Sequence, residues 1–260
     1  MTVQQDIQIP AIEIAGLAKR YASRSGGTVA LRDVSLTVGR HEFVCIVGPS
    51  GCGKSTLLKI ISGIEPPSDG LVRRFGEVVT EPTPDIGMVF QAPVLMKWRT
   101  VLDNVLFPID ALGLKRRDYI DKAQALLKLA GLEAFAKSWP RQLSGGMQQR
   151  VALCRALIYD PPFLLMDEPF GALDALTRDQ MNVELMRIWS ETKKATLLIT
   201  HSVAEAVFLA DRVLVMSGRP GTILEDIRID LPRPRHTGMR TEAAFMEHVR
   251  HISSLLGVHD

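Results

Sequence analysis

A glycine-rich loop at residues 48–55 has the residue types and spacing needed to hold a phosphate chain. It reads Gly-Pro-Ser-Gly-Cys-Gly-Lys-Ser and matches G-x-x-x-x-G-K-[ST] in full, between an apolar run and a predicted helix. The glycines let successive backbone N–H groups turn towards one anion, and the helix beginning near Lys54 adds its positive dipole end. A glycine-rich turn without a ligand is the alternative, but the full match in this context predicts a nucleoside triphosphate site.

The side chains of this loop are predicted to have different roles. Lys54 reaches the terminal phosphates as a point charge, the Ser55 hydroxyl ligates Mg²⁺, and Thr56 contacts an inner phosphate. The other predicted ligand-binding residues of the loop are Gly48, Pro49, Ser50, Gly51, Cys52 and Gly53.

Two adjacent acids, Asp167 and Glu168, end an apolar run that begins at Phe163. Burying neighbouring carboxylates is unfavourable unless a cation or hydrogen bonds compensate. A Mg²⁺ ion held near the phosphates would compensate, so Asp167 is predicted to bind the metal and Glu168 to polarise the attacking water as a general base. A strand end that places both acids in solvent is the alternative, and the presence of Lys54 argues against it.

A second glycine-rich segment, Leu-Ser-Gly-Gly-Met, occupies residues 143–147 at the predicted start of a helix. Ser144 is suited to N-capping, and Gly145 and Gly146 offer backbone N–H groups to an anion. Taken alone, the segment is also compatible with an N-capped surface helix. Together with the first loop, it gives the chain two predicted phosphate-binding surfaces.

The elements that must position these residues alternate between strands and helices. Strands are predicted at 12–17, 28–38, 42–47, 71–79, 86–90, 163–166, 196–200 and 212–216. Helices are predicted at 54–62, 122–129, 144–157, 174–192 and 203–210. The alternation predicts a mostly parallel sheet with helices on its faces. The helical block at about 92–150 interrupts it and should form its own lobe, and a Pro-Arg linker at 231–235 precedes a terminal amphipathic helix.

Composition limits the possible classes of protein. The 260 residues are 46% hydrophobic and 23% charged, with a formal net charge of +2. That balance gives no reason to expect nucleic acid or an anionic membrane surface as a partner. We expect no membrane span, because no apolar run reaches about eighteen residues, and residues 1–10 do not resemble a secretory signal. Three cysteines without C-x-x-C spacing argue against a disulfide framework or a zinc site.

The two glycine-rich segments, in this order, resemble those of ABC transporter ATP-binding subunits. The resemblance covers about residues 10–220 and implies an α/β fold: a RecA-like P-loop NTPase core with a mostly parallel sheet, an antiparallel β subdomain and a helical signature subdomain inserted at about 92–150. A C-terminal extension would occupy 221–260. The resemblance further implies ATP and Mg²⁺ as ligands, bound between two copies that pair head to tail. Each ATP would lie between the Lys54 loop of one copy and the Ser144 loop of the other.

Four more residues match landmarks of this family. Tyr21 resembles the aromatic residue that stacks on adenine, with a core tyrosine as the alternative. Gln91 matches the glutamine that contacts Mg²⁺ or the attacking water. Asp174 ends a match, at 171–174, to the loop that crosses the dimer interface. His201 matches the switch histidine that holds the γ-phosphate.

A finer resemblance is to the nitrate, sulfonate and taurine importers. It rests on the run 91–105, which contains Trp98, on Met147 and on residues 230–235; residues 92–97 depart from it, lacking an expected acid and a second proline. It implies an ATPase on the cytoplasmic face of the cell membrane that powers uptake of a small anionic solute through a separate permease. An extracytoplasmic solute-binding protein would be an indirect partner.

Other interpretations remain open at the sequence level. A soluble ABC ATPase that acts on ribosomes or DNA, or the ATPase subunit of an exporter, would carry the same ATP motifs. His248 and His251 lie one helical turn apart and could share a metal, or they could belong to an amphipathic helix that covers the core.

Overall fold

The computed structural model describes residues 9–22, 27–171 and 173–257. Residue 172, inside the predicted interface loop, lies outside the described residues, as do His259 and residues 1–8. The strands are β1 (Ile12–Tyr21), β2 (Thr28–Val38), β3 (Phe43–Val47), β4 (Asp69–Arg74), β5 (Glu77–Val78), β6 (Ile86–Val89), β7 (Phe163–Asp167), β8 (Ala195–Thr200), β9 (Arg212–Met216) and β10 (Ile223–Arg228). The α-helices are α1 (Lys54–Ile61), α2 (Val101–Val105), α3 (Phe107–Ala111), α4 (Ile120–Leu129), α5 (Gly145–Leu157), α6 (Ala175–Thr192), α7 (Val203–Leu209) and α8 (Ala243–Leu255).

The central sheet has the strand order β10-β9-β3-β8-β7-β6. Its strands run parallel except β10, which pairs antiparallel with β9. Every residue of β3 and β8 is buried, as expected for parallel strands covered on both faces. The prediction of a mostly parallel sheet is confirmed. Because parallel strands end at the same edge of a sheet, the loops that follow β3, β6, β7 and β8 lie side by side.

A second, antiparallel sheet has the order β2-β1-β4-β5. The single strand predicted at 71–79 is wrong: the chain reverses after β4 and returns as β5. Phe75 and Gly76 both have positive φ angles, of 50° and 90°. Only Gly76 adopts that conformation without steric cost, so the glycine gives a local reason for the hairpin.

The helices between β6 and β7 form a separate lobe. Helices α2, α4 and α5 enclose an apolar core of their own, with Val105, Leu127 and Val151 fully buried in it. This lobe therefore carries α5 and its glycine-rich start apart from the strand edge that carries the first loop.

The C-terminal segment packs on the same core as the central sheet. Strand β10 was not predicted, because an edge strand rich in charged residues lacks the apolar signature of the interior strands. Leu231 and Arg235, in the predicted linker, are both buried, and Arg235 donates to the carbonyl of Ala210, just beyond α7. Helix α8 is amphipathic, as predicted, and buries Phe245 and Ile252. The division near residue 220 stays a prediction.

Within the described ranges, no helix has both the length and the apolar composition that crossing a bilayer requires. Among the C-terminal histidines, His251 has a defined partner. His251 Nε2 lies 2.9 Å from Glu225 Oε1 on β10, which attaches α8 to the edge of the central sheet.

Candidate functional site

The loop between β3 and α1 adopts a conformation that glycine alone allows. Gly51 and Gly53 have φ angles of 76° and 110°, and a Cβ on Gly53 would lie 2.8 Å from the carbonyl oxygen of Ala30. Gly53 is also the N-cap residue of α1. The loop therefore wraps round the start of a helix, where backbone N–H groups and the helix dipole favour an anion.

Lys54 supplies a buried cation at this helix start. Its side chain is only 6% exposed, and Nζ donates to the carbonyls of Gly48 at 2.6 Å and Pro49 at 3.0 Å. No ion pair formed by the described residues includes Lys54. Nζ also lies 3.8 Å from Cys52 Sγ. A buried ammonium group among neutral partners lacks a charge partner, and a phosphate chain would supply it.

A cavity of about 500 Å³ brings half of the predicted nucleotide-binding residues together with the predicted base Glu168. The predicted residues that line it are Tyr21, Ser50, Gly51, Gly53, Lys54, Ser55, Thr56 and Glu168. Gly48, Pro49 and Cys52 do not line it. Gly48 and Cys52 are buried within the loop, and their contact with a ligand stays a prediction.

Asp167 and Glu168 stand at the end of β7, beside α1. Burial, and then the neighbouring Glu168 carboxylate, raise the pKa of Asp167, while a hydrogen bond with Ser55 and the charge of Lys54 oppose the rise. A divalent cation would offset the two carboxylates. Asp167 with the Ser55 hydroxyl forms an oxygen pair of the kind that Mg²⁺ prefers.

Glu168 is held in an unusual conformation. Its φ angle is 42°, and its backbone N–H donates to the carbonyl of Ile199 at 2.8 Å. One carboxylate oxygen lies 3.0 Å from His201 Nδ1. Non-glycine residues with positive φ are strained and concentrate at functional sites. The strain aims Glu168 into the cavity beside His201, which follows β8.

Gln91 reaches the same strand edge from the loop after β6. The Gln91 side chain lies beside Gly171: a Cβ added to Gly171 would be 3.2 Å from Gln91 Nε2. Gly171 is in turn bonded to Glu168, because its N–H donates to the Glu168 carbonyl at 3.0 Å. The fold thus places three predicted catalytic side chains, those of Gln91, Glu168 and His201, at the ends of three neighbouring strands.

Tyr21 borders the cavity at the end of β1. Its hydroxyl donates to Glu65 Oε2 at 3.0 Å and lies 3.4 Å from Thr56 Oγ1. Lys19 Nζ lies 5.2 Å from the ring centroid, and the ring is about one-third exposed. The position is compatible with stacking on a base, and the role itself stays a prediction.

The second glycine-rich segment lies elsewhere. Ser144 caps α5 by accepting from Met147 N at 3.3 Å, as predicted. A Cβ on Gly146 would lie 2.8 Å from Thr177 Cγ2 of α6. Asp174 caps α6, accepting from Thr177 N at 3.0 Å and Thr177 Oγ1 at 2.7 Å, and hydrogen bonds with Thr177 lower the pKa of Asp174. The structure therefore brings Ser144, Gly146 and Asp174 towards one another and not to the cavity that Lys54 lines.

Sequence reasoning missed the side chains that hold the loop at 91–100. Gln149 of α5 donates to the carbonyl of Phe90 at 2.9 Å. Arg155, also on α5, donates to the carbonyls of Val94 at 2.7 Å and Pro93 at 2.9 Å. The two residues are six positions apart on the helix, which is not a one-face spacing, so no periodic signal in the sequence marked them. Through these contacts α5 links the second glycine-rich segment to the loop that carries Gln91.

Asn104 anchors the other end of this loop. It is fully buried; its amide oxygen accepts from Met96 N at 2.7 Å, and its amide nitrogen donates to the carbonyls of Met96, Arg99 and Thr100 at 2.9 to 3.1 Å. We expect Asn104→Ala to lower the free energy of unfolding by about 2–4 kcal/mol, because several polar groups lose their partners. Urea denaturation measures the change. Gln124→Ala, on the exposed face of α4, should change it by less than about 0.5 kcal/mol; equal effects would contradict the anchor.

Comparisons with known proteins agree with this geometry. The family model "ABC transporter" matches residues 31–171. The chain is 44% identical to the nitrate import ATP-binding protein NrtD of Synechocystis sp., over 94% of each chain. It is 49% identical to the taurine import ATP-binding protein TauB of Rhizobium johnstonii, over 82% of each.

A solved structure shares the fold. It is the dimeric, post-hydrolysis state of the ATP-binding cassette MJ0796 bound to ADP and Pi, with a TM-score of 0.71 and 32% identity, covering 85% of this chain and all of the other. The matched family model, these relatives and the phosphate site identify ATP, with Mg²⁺, as the ligand of this fold. The chain belongs to the ABC transporter family, as one of its ATP-binding, ATP-hydrolysing subunits.

Proposed function

We propose that this chain is the ATPase subunit of an importer for a small anionic solute of the nitrate, sulfonate or taurine kind. The observation that carries the proposal is the separation of two glycine-rich helix starts on one chain, one at Lys54 and one at Ser144. The names of NrtD and TauB support the direction of transport and the class of solute.

ATP would join two copies of the chain. Ser144 and Gly145 are exposed and lie outside the cavity that Lys54 lines, so a second copy would have to supply them to a bound nucleotide. A two-fold, head-to-tail pair would complete two sites at once. The cassette MJ0796, which shares the fold, is dimeric in its solved structure.

The proposed roles within each site follow from position. Lys54 and the backbone of residues 48–56 would hold the phosphates, while Ser55, Asp167 and Gln91 would hold Mg²⁺. Glu168 would take a proton from the attacking water. His201, 3.0 Å from Glu168, would hold the γ-phosphate and keep the carboxylate oriented.

An apolar groove beside the helical lobe fits a membrane partner. It has a volume of about 550 Å³ and is lined mainly by apolar side chains of β6, α3 and the loop at 91–100. Val94, which lines the groove, and Trp98, in the same loop, are 61% and 73% exposed, and exposed apolar patches mark interaction sites. A segment of the permease would dock here, next to Gln91. The chain would then lie peripherally on the cytoplasmic face of the membrane, and the solute-binding protein would reach it only through the permease.

The test is copurification from gently solubilised membranes of the native host. We expect a multi-span permease to accompany the wild-type chain and Val94→Arg to lose it while basal ATPase activity persists, because a charge would enter the apolar groove. Val78→Arg is the matched control, since Val78 is similarly exposed, at 56%, on β5. Absence of any permease would remove the importer proposal. If Val94→Arg retains the permease, the groove is not the docking site, but the importer proposal stands.

A further inference from the structure

The loop that joins β9 to β10, residues 217–222, is built directly against the phosphate loop. Ser217 Oγ accepts from Thr222 N at 3.0 Å and donates to the Pro220 carbonyl at 3.1 Å. Gly221 N donates to the carbonyl of Ala30 at 2.9 Å. A Cβ on Gly221 would lie 2.2 Å from the carbonyl oxygen of Cys52, so only glycine permits this approach. The loop is thereby held in one place relative to the nucleotide cavity.

This loop presents Arg219 to the cavity. Arg219 lines it together with residues of the phosphate loop, and its Nε donates to the carbonyl of Gly51 at 3.1 Å. The neighbouring arginines Arg212, Arg228 and Arg233 each pair with a carboxylate. In contrast, no ion pair formed by the described residues includes Arg219. An arginine with two further N–H-bearing nitrogens and no acidic partner therefore stands at the rim of an anion site.

We propose that Arg219 is a second cationic contact for the phosphate chain of the nucleotide, supplied from outside the phosphate loop. The inference rests on the proposed nucleotide site. Lys54 is buried and brings one positive charge to a ligand that carries several negative ones, while Glu168 adds a negative charge to the same cavity. Arginine suits phosphate because its planar guanidinium donates in parallel to two oxygens.

A purely structural role for Arg219 predicts a different result. In that case the side chain would matter only as the donor that fixes the Gly51 carbonyl. A glutamine amide keeps a donor and loses the charge, whereas lysine keeps the charge and loses the planar fork. The series Arg219→Gln, Arg219→Lys and Arg219→Ala therefore separates charge from loop support.

The experiment measures the binding of adenosine, MgADP and MgATP to the full chain by isothermal titration calorimetry. We expect Arg219→Gln and Arg219→Ala to bind MgADP and MgATP about tenfold more weakly, the size of one charge-assisted hydrogen bond. Arg219→Lys should lose less affinity than Arg219→Gln but not reach the wild type, because the charge remains while the planar fork is lost. Adenosine, which has no phosphate, should bind all variants alike. Arg117→Gln is the matched control: the Arg117 side chain is 78% exposed, and it pairs with the adjacent Asp118.

Each other outcome overturns the proposal. Wild-type affinity in the glutamine variant would assign Arg219 to loop support. If adenosine loses as much affinity as MgATP does, Arg219 does not contact the phosphates. If the wild-type chain does not bind MgATP, the nucleotide site itself is wrong. If the wild type binds MgATP and Lys54→Ala does not, the site stands, and an unchanged Arg219 variant then counts against the Arg219 proposal alone. Thermal unfolding of each variant shows that the compared proteins are folded.

Discussion

Glu168→Gln should abolish steady-state ATP hydrolysis while leaving ATP binding intact. Glutamine has nearly the same shape as glutamate and can still meet His201, which lies 3.0 Å from the carboxylate. It cannot take a proton from water, and general-base assistance contributes about 10²- to 10⁴-fold to a rate. Phosphate release at saturating MgATP measures the loss.

The Glu168→Gln variant should accumulate as an ATP-bound dimer. If ATP favours the paired state and hydrolysis separates the copies, a chain that binds but does not hydrolyse stays paired. Size-exclusion chromatography with light scattering, with and without MgATP, reports the mass. Glu247→Gln, an exposed glutamate of α8, should behave as wild type in both assays. Near-normal turnover by the Glu168 variant would assign the base elsewhere.

Lys54→Ala should weaken MgATP binding by about 10- to 100-fold, the range of a lost hydrogen bond between two charged groups. The ammonium is buried, donates to the Gly48 and Pro49 carbonyls and to Cys52 Sγ, and forms no ion pair with the described residues, so it is positioned for an anion before the ligand arrives. Ligand binding also raises the melting temperature of the protein that binds it. MgATP should therefore stabilise the wild-type chain and have little effect on the variant.

Lys59→Ala provides the comparison for this result. Lys59 belongs to the same helix, α1, but lies in its last turn and is exposed. Removing it changes the net charge equally and should leave affinity within about twofold, because exposed charges are screened. An unchanged affinity in Lys54→Ala would take Lys54 out of the phosphate site; an equal loss in both variants would reduce the effect to overall charge.

Several elements could be predicted because their causes are local. The glycines of the phosphate loop, the apolar runs of β3 and β8 and the cap at Ser144 each act within a few residues, so the pattern alone indicates strand, turn and helix start. The edge strand β10 could not be assigned in this way, because its conformation depends on pairing with β9. The hairpin after β4 does have a local cause, the reversal at Gly76, which the prediction of one strand at 71–79 overlooked.

The sequence by itself determined which chemistry this protein can perform. A lysine after a glycine loop, two acids after an apolar strand and a histidine after another together predict phosphate binding and hydrolysis. Parallel pairing also follows from the alternation of elements, and it alone brings Gln91, Glu168 and His201 to one edge.

Only the tertiary structure decided where the remaining groups act. Gly146 and Asp174 meet at Thr177 rather than at Lys54, because the helical lobe has a core of its own and carries the start of α5 away from the strand edge. Arg219 reaches the phosphate loop because β9 lies next to β3 in the sheet, although the two strands are far apart along the chain. Such neighbours result from packing of the whole chain, and no local pattern encodes them.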